Sequence, residues 1–228
     1  MKKYTKVTVI IVLLIVFFVR LDQLSALQSL ALLIFLIAML YLFEKREVKR
    51  GFESGVRRLY ICVDFDGVKR TINDLKKNAL YRPMTKEAVL TLEKLLAFYT
   101  EGDQVVSDGL NSGYYQFWSD QVDFLSGKLQ AVSISPSVLK QLNPLDLERA
   151  SVSKCFMKDA IGESEKLRSE VSSTLLIAEL SLLYATIANE DRLKQYYTKV
   201  AHNLSKGAFE NVILSEDEYH VYLMHQTC

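Results

Sequence analysis

Proline and glycine are scarce, at three and nine residues in a chain of 228. So little of either excludes collagen-like and low-complexity classes, and it argues against many short strands joined by turns. Cysteine is equally thin. Three residues with no Cys-x-x-Cys pair write neither a disulfide framework nor a zinc ribbon. The three histidines are His202, His220 and His225, and the last two are five apart, poorly matched to one helix face. A net charge of +1 gives no global attraction to nucleic acid. No Walker A loop, GxSxG elbow or HExxH motif occurs. What the chain does have is apolar residues, 50% of the total against 24% charged, which excludes disorder. Its length fits one medium domain plus a small appendage.

The apolar residues are concentrated near the start. Val7 to Val19 reads VTVIIVLLIVFFV, and Leu24 to Phe43 reads LSALQSLALLIFLIAMLYLF. A helix rises about 1.5 Å per residue, so roughly 20 residues cross a hydrocarbon core. The second stretch has that length without a charge. The first reaches it over about 4–21, with Lys6 and Arg20 snorkelling to the interfaces. A basic start before an apolar run also describes a cleaved signal peptide, but no small-x-small site follows Val19 and a second run arrives at once. The expectation is an uncleaved transmembrane helical hairpin over residues 1–43, with spans at about 4–21 and 24–43.

Basic residues orient it. Lys2, Lys3 and Lys6 precede the first span, and Lys45, Arg46, Lys49 and Arg50 follow the second. The connecting loop holds Arg20, offset by Asp22. The positive-inside bias then puts both termini in the cytoplasm. The basic juxtamembrane segment, 44–58, can also hold anionic lipid heads. Residues 1–50 carry eight Lys/Arg and three Asp/Glu, leaving twenty and twenty-four for the remainder. A mildly acidic domain is not drawn to a polyanion, so nucleic acid is not an expected partner.

Beyond Arg50 the period is helical. Phe52, Val56, Leu59 and Val63 share one face, and Phe65, Val68, Ile72, Leu75 and Ala79 another. Asp64 stands between the two sets, placed to cap the second helix. The pair reads as a tight αα-hairpin closed near Pro83. Thr85 could start a helix through Val89, Leu92, Leu95, Leu96 and Tyr99, with Gly102-Asp103 as its turn. Asn143-Pro144 is a further helix start. A long pattern runs from Glu163 to Ala188, turns at Asn189 and resumes through Leu193, Tyr196, Tyr197, Val200 and Leu204. Ser215 to Glu218 matches a capping box. Residues 109–137 are the least clear, and 131–134 could be extended.

Three segments share one grammar: an aromatic or leucine, a tight turn with an acidic residue or Asn, then a second amphipathic helix. They are Leu59 to Leu75, Phe98 to Leu110 and Leu183 to Val200. This resembles the tetratricopeptide repeat. In the third segment Leu180, Tyr184, Ala188, Asn189, Leu193, Tyr197 and Val200 stand where the repeat keeps its packing residues. In the first, Phe52, Leu59, Asp64, Val68, Ile72 and Leu75 do so. The small Ala of the second helix is replaced by Val68 or Leu193, and the spacing is not a steady 34 residues, so the resemblance is to a degenerate form. It implies an all-α class, a TPR-like α-solenoid over residues 52–228, carried on a two-span membrane anchor of bacterial type. It also makes the hairpin at 163–204 the structural anchor of the domain, with Leu193 filling the contact between its helices.

One motif suggests chemistry. Asp64-Phe65-Asp66-Gly67-Val68, preceded by Leu59 to Val63, resembles the first motif of haloacid-dehalogenase-like phosphatases. The resemblance implies a nucleophilic Asp64, an acid/base Asp66 and Mg²⁺, with Gly102-Asp103 and Asp108 as a later acidic motif. Such a fold needs several βαβ units between the motifs, and about 35 residues of helical pattern stand there instead. Capping is the simpler role for Asp64. Cys62 reads as core and Cys228 as a chain end, and none of the three cysteines stands in a pattern that marks an activated thiolate. Tyr114, Tyr115, Phe117 and Trp118 could form a peptide-binding platform, though such runs more often pack a core.

The sequence therefore predicts a membrane-anchored, non-catalytic scaffold or adaptor that binds a protein or peptide at the cytoplasmic face. No catalytic, cofactor-binding or metal-binding residue is assigned, and the expected contacts are the lipid bilayer and a protein partner. The rivals are a membrane-bound phosphohydrolase using Asp64 and Asp66, and a small subunit of a transport or secretion complex.

Overall fold

The computed structural model describes residues 26–78, 82–100, 113–126, 132–157, 167 and 169–206, and all the regular structure among these described residues is helical. The first apolar segment, Gly102-Asp103, Asp108, the Ser215 capping box, His220, His225 and Cys228 lie outside them.

Helix α1, Ala26–Arg57, is the axis of the molecule. Its first half is apolar and bare, with Leu27, Leu30, Ile34, Phe35 and Ile37 all exposed. This is the one helix among the described residues long and apolar enough to cross a membrane. The same helix continues without a break, and from Val48 onward its character inverts. Val48, Phe52, Val56 and Leu59 are buried at the spacing read from the sequence. Two helices close tightly on this half because Gly51 and Gly55 present no side chain. A Cβ at Gly51 would stand 2.6 Å from a methyl of Leu75, and one at Gly55 would stand 2.9 Å from methyls of Leu92.

The end of α1 widens into a π turn, Arg58–Cys62, and the chain reverses at Val63, which is left-handed at φ 49°. A β-branched residue there is strained, and distant groups hold it. The ammonium of Lys206 donates to the carbonyls of Cys62 (3.1 Å) and Val63 (3.2 Å). Ser173 and Thr174 hydroxyls donate to the carbonyls of Tyr60 (2.8 Å) and Ile61 (2.9 Å). Helix-end carbonyls otherwise left without partners are thus satisfied, partly by a cation that also suits the helix dipole. Cys62, expected in the core, is exposed because the π turn rotates it outward.

Helix α2, Phe65–Asn78, begins at the cap the sequence indicated: the Gly67 N–H donates to Asp64 Oδ1 at 2.8 Å. Helix α3, Arg82–Thr100, starts earlier than Thr85, with Pro83 in its first turn, where a missing N–H costs nothing. Both pack on α1 and on each other. Helix α4, Gly113–Leu125, follows, and then the four-residue α5, Pro136–Leu139, capped by Ser135. Residues 132–135 form no strand.

Helix α6, Pro144–Met157, opens with the expected Asn143 cap. Helix α7 spans Thr174–Ile187 rather than the longer stretch from Glu163, because Ser172, Ser173 and Thr174 turn their hydroxyls to other segments. Helix α8, Asp191–Ser205, folds back against α7. Leu193 does not fill the contact between them. It is 44% exposed, and Tyr197, Val200, Ala201 and Leu204 face α7 instead.

Candidate functional site

The aromatic run expected as a possible platform is interior. Tyr114, Tyr115, Phe117 and Trp118 are buried, and Phe52 of α1 meets Tyr114, Tyr115 and Trp118 edge-on with ring centroids 4.9–6.5 Å apart. Edge-to-face contacts of this kind add to simple burial, so the run holds α4 to α1. It offers no platform to a ligand.

Behind it lies a chain of buried polar groups. Arg149 of α6, fully buried, pairs with Glu179 of α7. Tyr99 of α3 donates to the same carboxylate, and Tyr60 to the Tyr99 oxygen at 3.0 Å. On the other side the Arg149 guanidinium donates to Ser153 Oγ at 3.0 and 3.3 Å, and Ser153 donates to Gln121. Burial, then the Glu179 charge, raise the Tyr99 hydroxyl well above its ordinary range, so it remains a donor. Burial alone would weaken the charge on Arg149, but Glu179 beside it more than restores it. Five elements meet at this network, namely α1 and its π turn, α3, α4, α6 and α7.

A second polar group reaches the surface. Asn143 and Asp146 cap each other across the start of α6, through Asp146 N–H to Asn143 Oδ1 (3.1 Å) and Asn143 N–H to Asp146 Oδ2 (2.8 Å). The Tyr114 hydroxyl donates to Asp146 at 3.2 Å. Burial pushes the Asp146 carboxyl up to about 6, against the backbone donor of Asn143 and the Tyr114 hydroxyl, which pull it down. Lys49 lies over the Tyr114 ring, 4.6 Å from its centroid and 3.8 Å from Glu53.

Above this pair is a cleft of about 420 Å³ between α1 and α6. Arg50, Glu53, Ser54 and Arg57 form one wall, and Asn143, Pro144, Leu145 and Glu148 the other. Val56 and Ile61 supply apolar floor. Glu148 is engaged by Ser172 at 2.7 Å, and Glu53 by Lys49. Arg57 is exposed and has no ion-pair partner among the described residues. The cleft can therefore take an apolar group beside an anionic one, which is chemistry for binding.

The carboxylates of the phosphatase-like motif stand elsewhere. Asp64 is committed to the Gly67 N–H, with Arg58 at 4.0 Å, and Asp66 is exposed in the first turn of α2. The residues before them, 59–62, are helical. No group of three His, Cys, Asp or Glu able to hold a metal occurs among the described residues. Sequence reasoning missed Arg149, Glu179 and Asp146. Glu179, a lone acid within LLIAELSLLY, was the available signal, as was the Asn-x-x-Asp spacing of Asn143 and Asp146.

No protein-family model matches the chain, and no curated protein or solved structure is detectably similar to it.

Proposed function

We propose that the protein is a membrane-anchored, non-catalytic adaptor whose degenerate tetratricopeptide-like body takes a peptide segment of a partner in the α1–α6 cleft. The observation that carries this reading is the continuity of α1: one helix is bare and apolar over Leu27–Phe43 and, a few turns later, forms the wall of the cleft. Whatever binds there is held at the membrane. The unpartnered Arg57 and the apolar floor favour a segment with an acidic residue next to an apolar one. The two-span arrangement draws support from a stripe along α1, and the basic flanks favour both termini in the cytoplasm. Ser29, Leu32, Leu36 and Leu40 are less exposed than their neighbours, the side on which a second helix would lie.

A photo-crosslinking residue at Ser54 in the full-length chain tests the adaptor role in cells. It should give a discrete adduct with one protein, lost in Arg57→Glu, while the same residue at exposed Gln195 gives none. Identical patterns at both positions would end the adaptor reading. A Glu53→Cys variant labelled from outside intact cells by an impermeant thiol reagent would overturn the topology.

A further inference from the structure

The apolar part of α1 ends at Phe43, and Lys49 lies six residues further, roughly 9 Å along the axis. Helical side chains lean toward the helix N-terminus, which here is the apolar end. The Lys49 ammonium donates to the Gln141 carbonyl at 3.3 Å. The turn after α5 is therefore held near the level of Lys49. A bilayer carries a headgroup layer roughly 6 Å deep on each side of its hydrocarbon core, and a modest helix tilt brings the turn into it.

The turn has the composition for that place. Leu139 is 53% exposed, a bare aliphatic side chain at the tip of a short helix whose neighbour Val138 is buried. Lys140 and Gln141 beside it are exposed as well. In water an exposed leucine needs no special account. An exposed leucine next to a lysine, tied to the juxtamembrane turn of an apolar helix, matches the pattern by which soluble surfaces enter a lipid interface. The leucine goes among the acyl boundaries and the lysine snorkels to phosphate.

We propose that the turn Leu139–Lys140–Gln141 is a second membrane contact, seated in the phospholipid headgroup layer beside the exit of α1. With α1 it gives the helical body two points of support, which fixes the direction in which the α1–α6 cleft opens relative to the bilayer. The proposal rests on the membrane-anchored reading above.

Three single-cysteine forms of the full chain, reconstituted into vesicles of zwitterionic and anionic phospholipid, test it with a polarity-sensitive dye and lipid-borne quenchers. One carries Leu33→Cys, in the bare apolar half of α1. The second carries Leu139→Cys. The third keeps only the exposed native Cys62, roughly 28 Å along the helix beyond Phe43. Remaining cysteines are replaced by serine. Deep quenchers should act on position 33, and shallow quenchers on position 139 several-fold more than on Cys62. If position 33 is quenched but position 139 behaves like Cys62, the second contact is refuted while the anchor stands. If position 33 is itself unquenched, the anchor fails and the second contact falls with it.

Discussion

Two helical hairpins in this chain carry the same sequence grammar and meet different fates. The α1–α2 pair and the α7–α8 pair both place amphipathic helices around a tight turn with an acidic residue or Asn. In the first, Phe52, Val56, Leu59 and Val68 are buried, with α3 packed on the flank of both helices and Phe52 set among the rings of α4. In the second, α7 is interior but the first two turns of α8 lie in the open, with Leu193 44% and Tyr196 58% exposed. An amphipathic pattern shows that a helix has a face to cover. It does not say how many neighbours will cover it. Helix α1 is flanked by α2, α3 and α4, whereas α8 leans on α7, where the tilted rings of Tyr197 and Tyr184 lie 5.0 Å apart. The second half of α1 is thus covered on more sides than α8, and Leu193, expected in the contact between α7 and α8, stands outside it.

The sharpest way to break this comparison is at the buried ion pair through which α7 joins α6. Glu179→Ala leaves the Arg149 guanidinium buried and unpaired, and should cost about 3–5 kcal/mol. Chemical denaturation of the detergent-solubilised full chain would register it as a large fall in midpoint. A double change, Arg149→Met with Glu179→Leu, removes both charges and should recover most of the loss. A double variant as unstable as the single one would mean that the hydrogen bonds, not the charge balance, hold α7 in place.

The second effect is smaller and depends on pH. Asp146 binds its proton more tightly in the folded chain, at about 6, than at its ordinary value of 3.8. Between these values the folded state holds more protons than the unfolded one. Stability should therefore be fully supported below about pH 4 and decline as pH rises toward 6, by up to about 3 kcal/mol from this group. Asp146→Asn keeps an oxygen for the Asn143 N–H and cannot ionise, so its stability profile should be flat over that window by comparison. Parallel profiles for the two proteins would show that the carboxyl is not desolvated.

The smallest expected effect sharpens the contrast between the hairpins. An exposed Leu193 gives Leu193→Asp a cost within about 0.5 kcal/mol, as for surface substitutions generally. A loss of several kcal/mol would place Leu193 in an interhelical contact after all.

Local chemistry was legible in the sequence. The long charge-free run, the 3.6-residue periods of α1 and α2, the Asp64 cap and the Asn143-Pro144 start each depend on residues within a turn or two of one another. Backbone hydrogen bonding, capping and amphipathicity act over that range, so neighbours in sequence suffice to show them. The helical class followed from the same signals.

Only tertiary structure decided the rest. Arg149 and Glu179 are 30 residues apart, Ser173 and the Tyr60 carbonyl 113, and Lys206 and the Val63 carbonyl 143. Neither partner announces the other, because a buried charge or an open helix end is tolerated wherever packing happens to deliver a complement. The same holds for the cleft, whose walls come from α1 and α6, some 90 residues apart in the chain. The sequence by itself determined the helical class, the periods of α1 and α2 and where a long apolar stretch begins, but not the helices of 113–139. Which faces are covered, and which polar groups meet in the interior, depended on the mutual closure of helices, a property no single segment possesses.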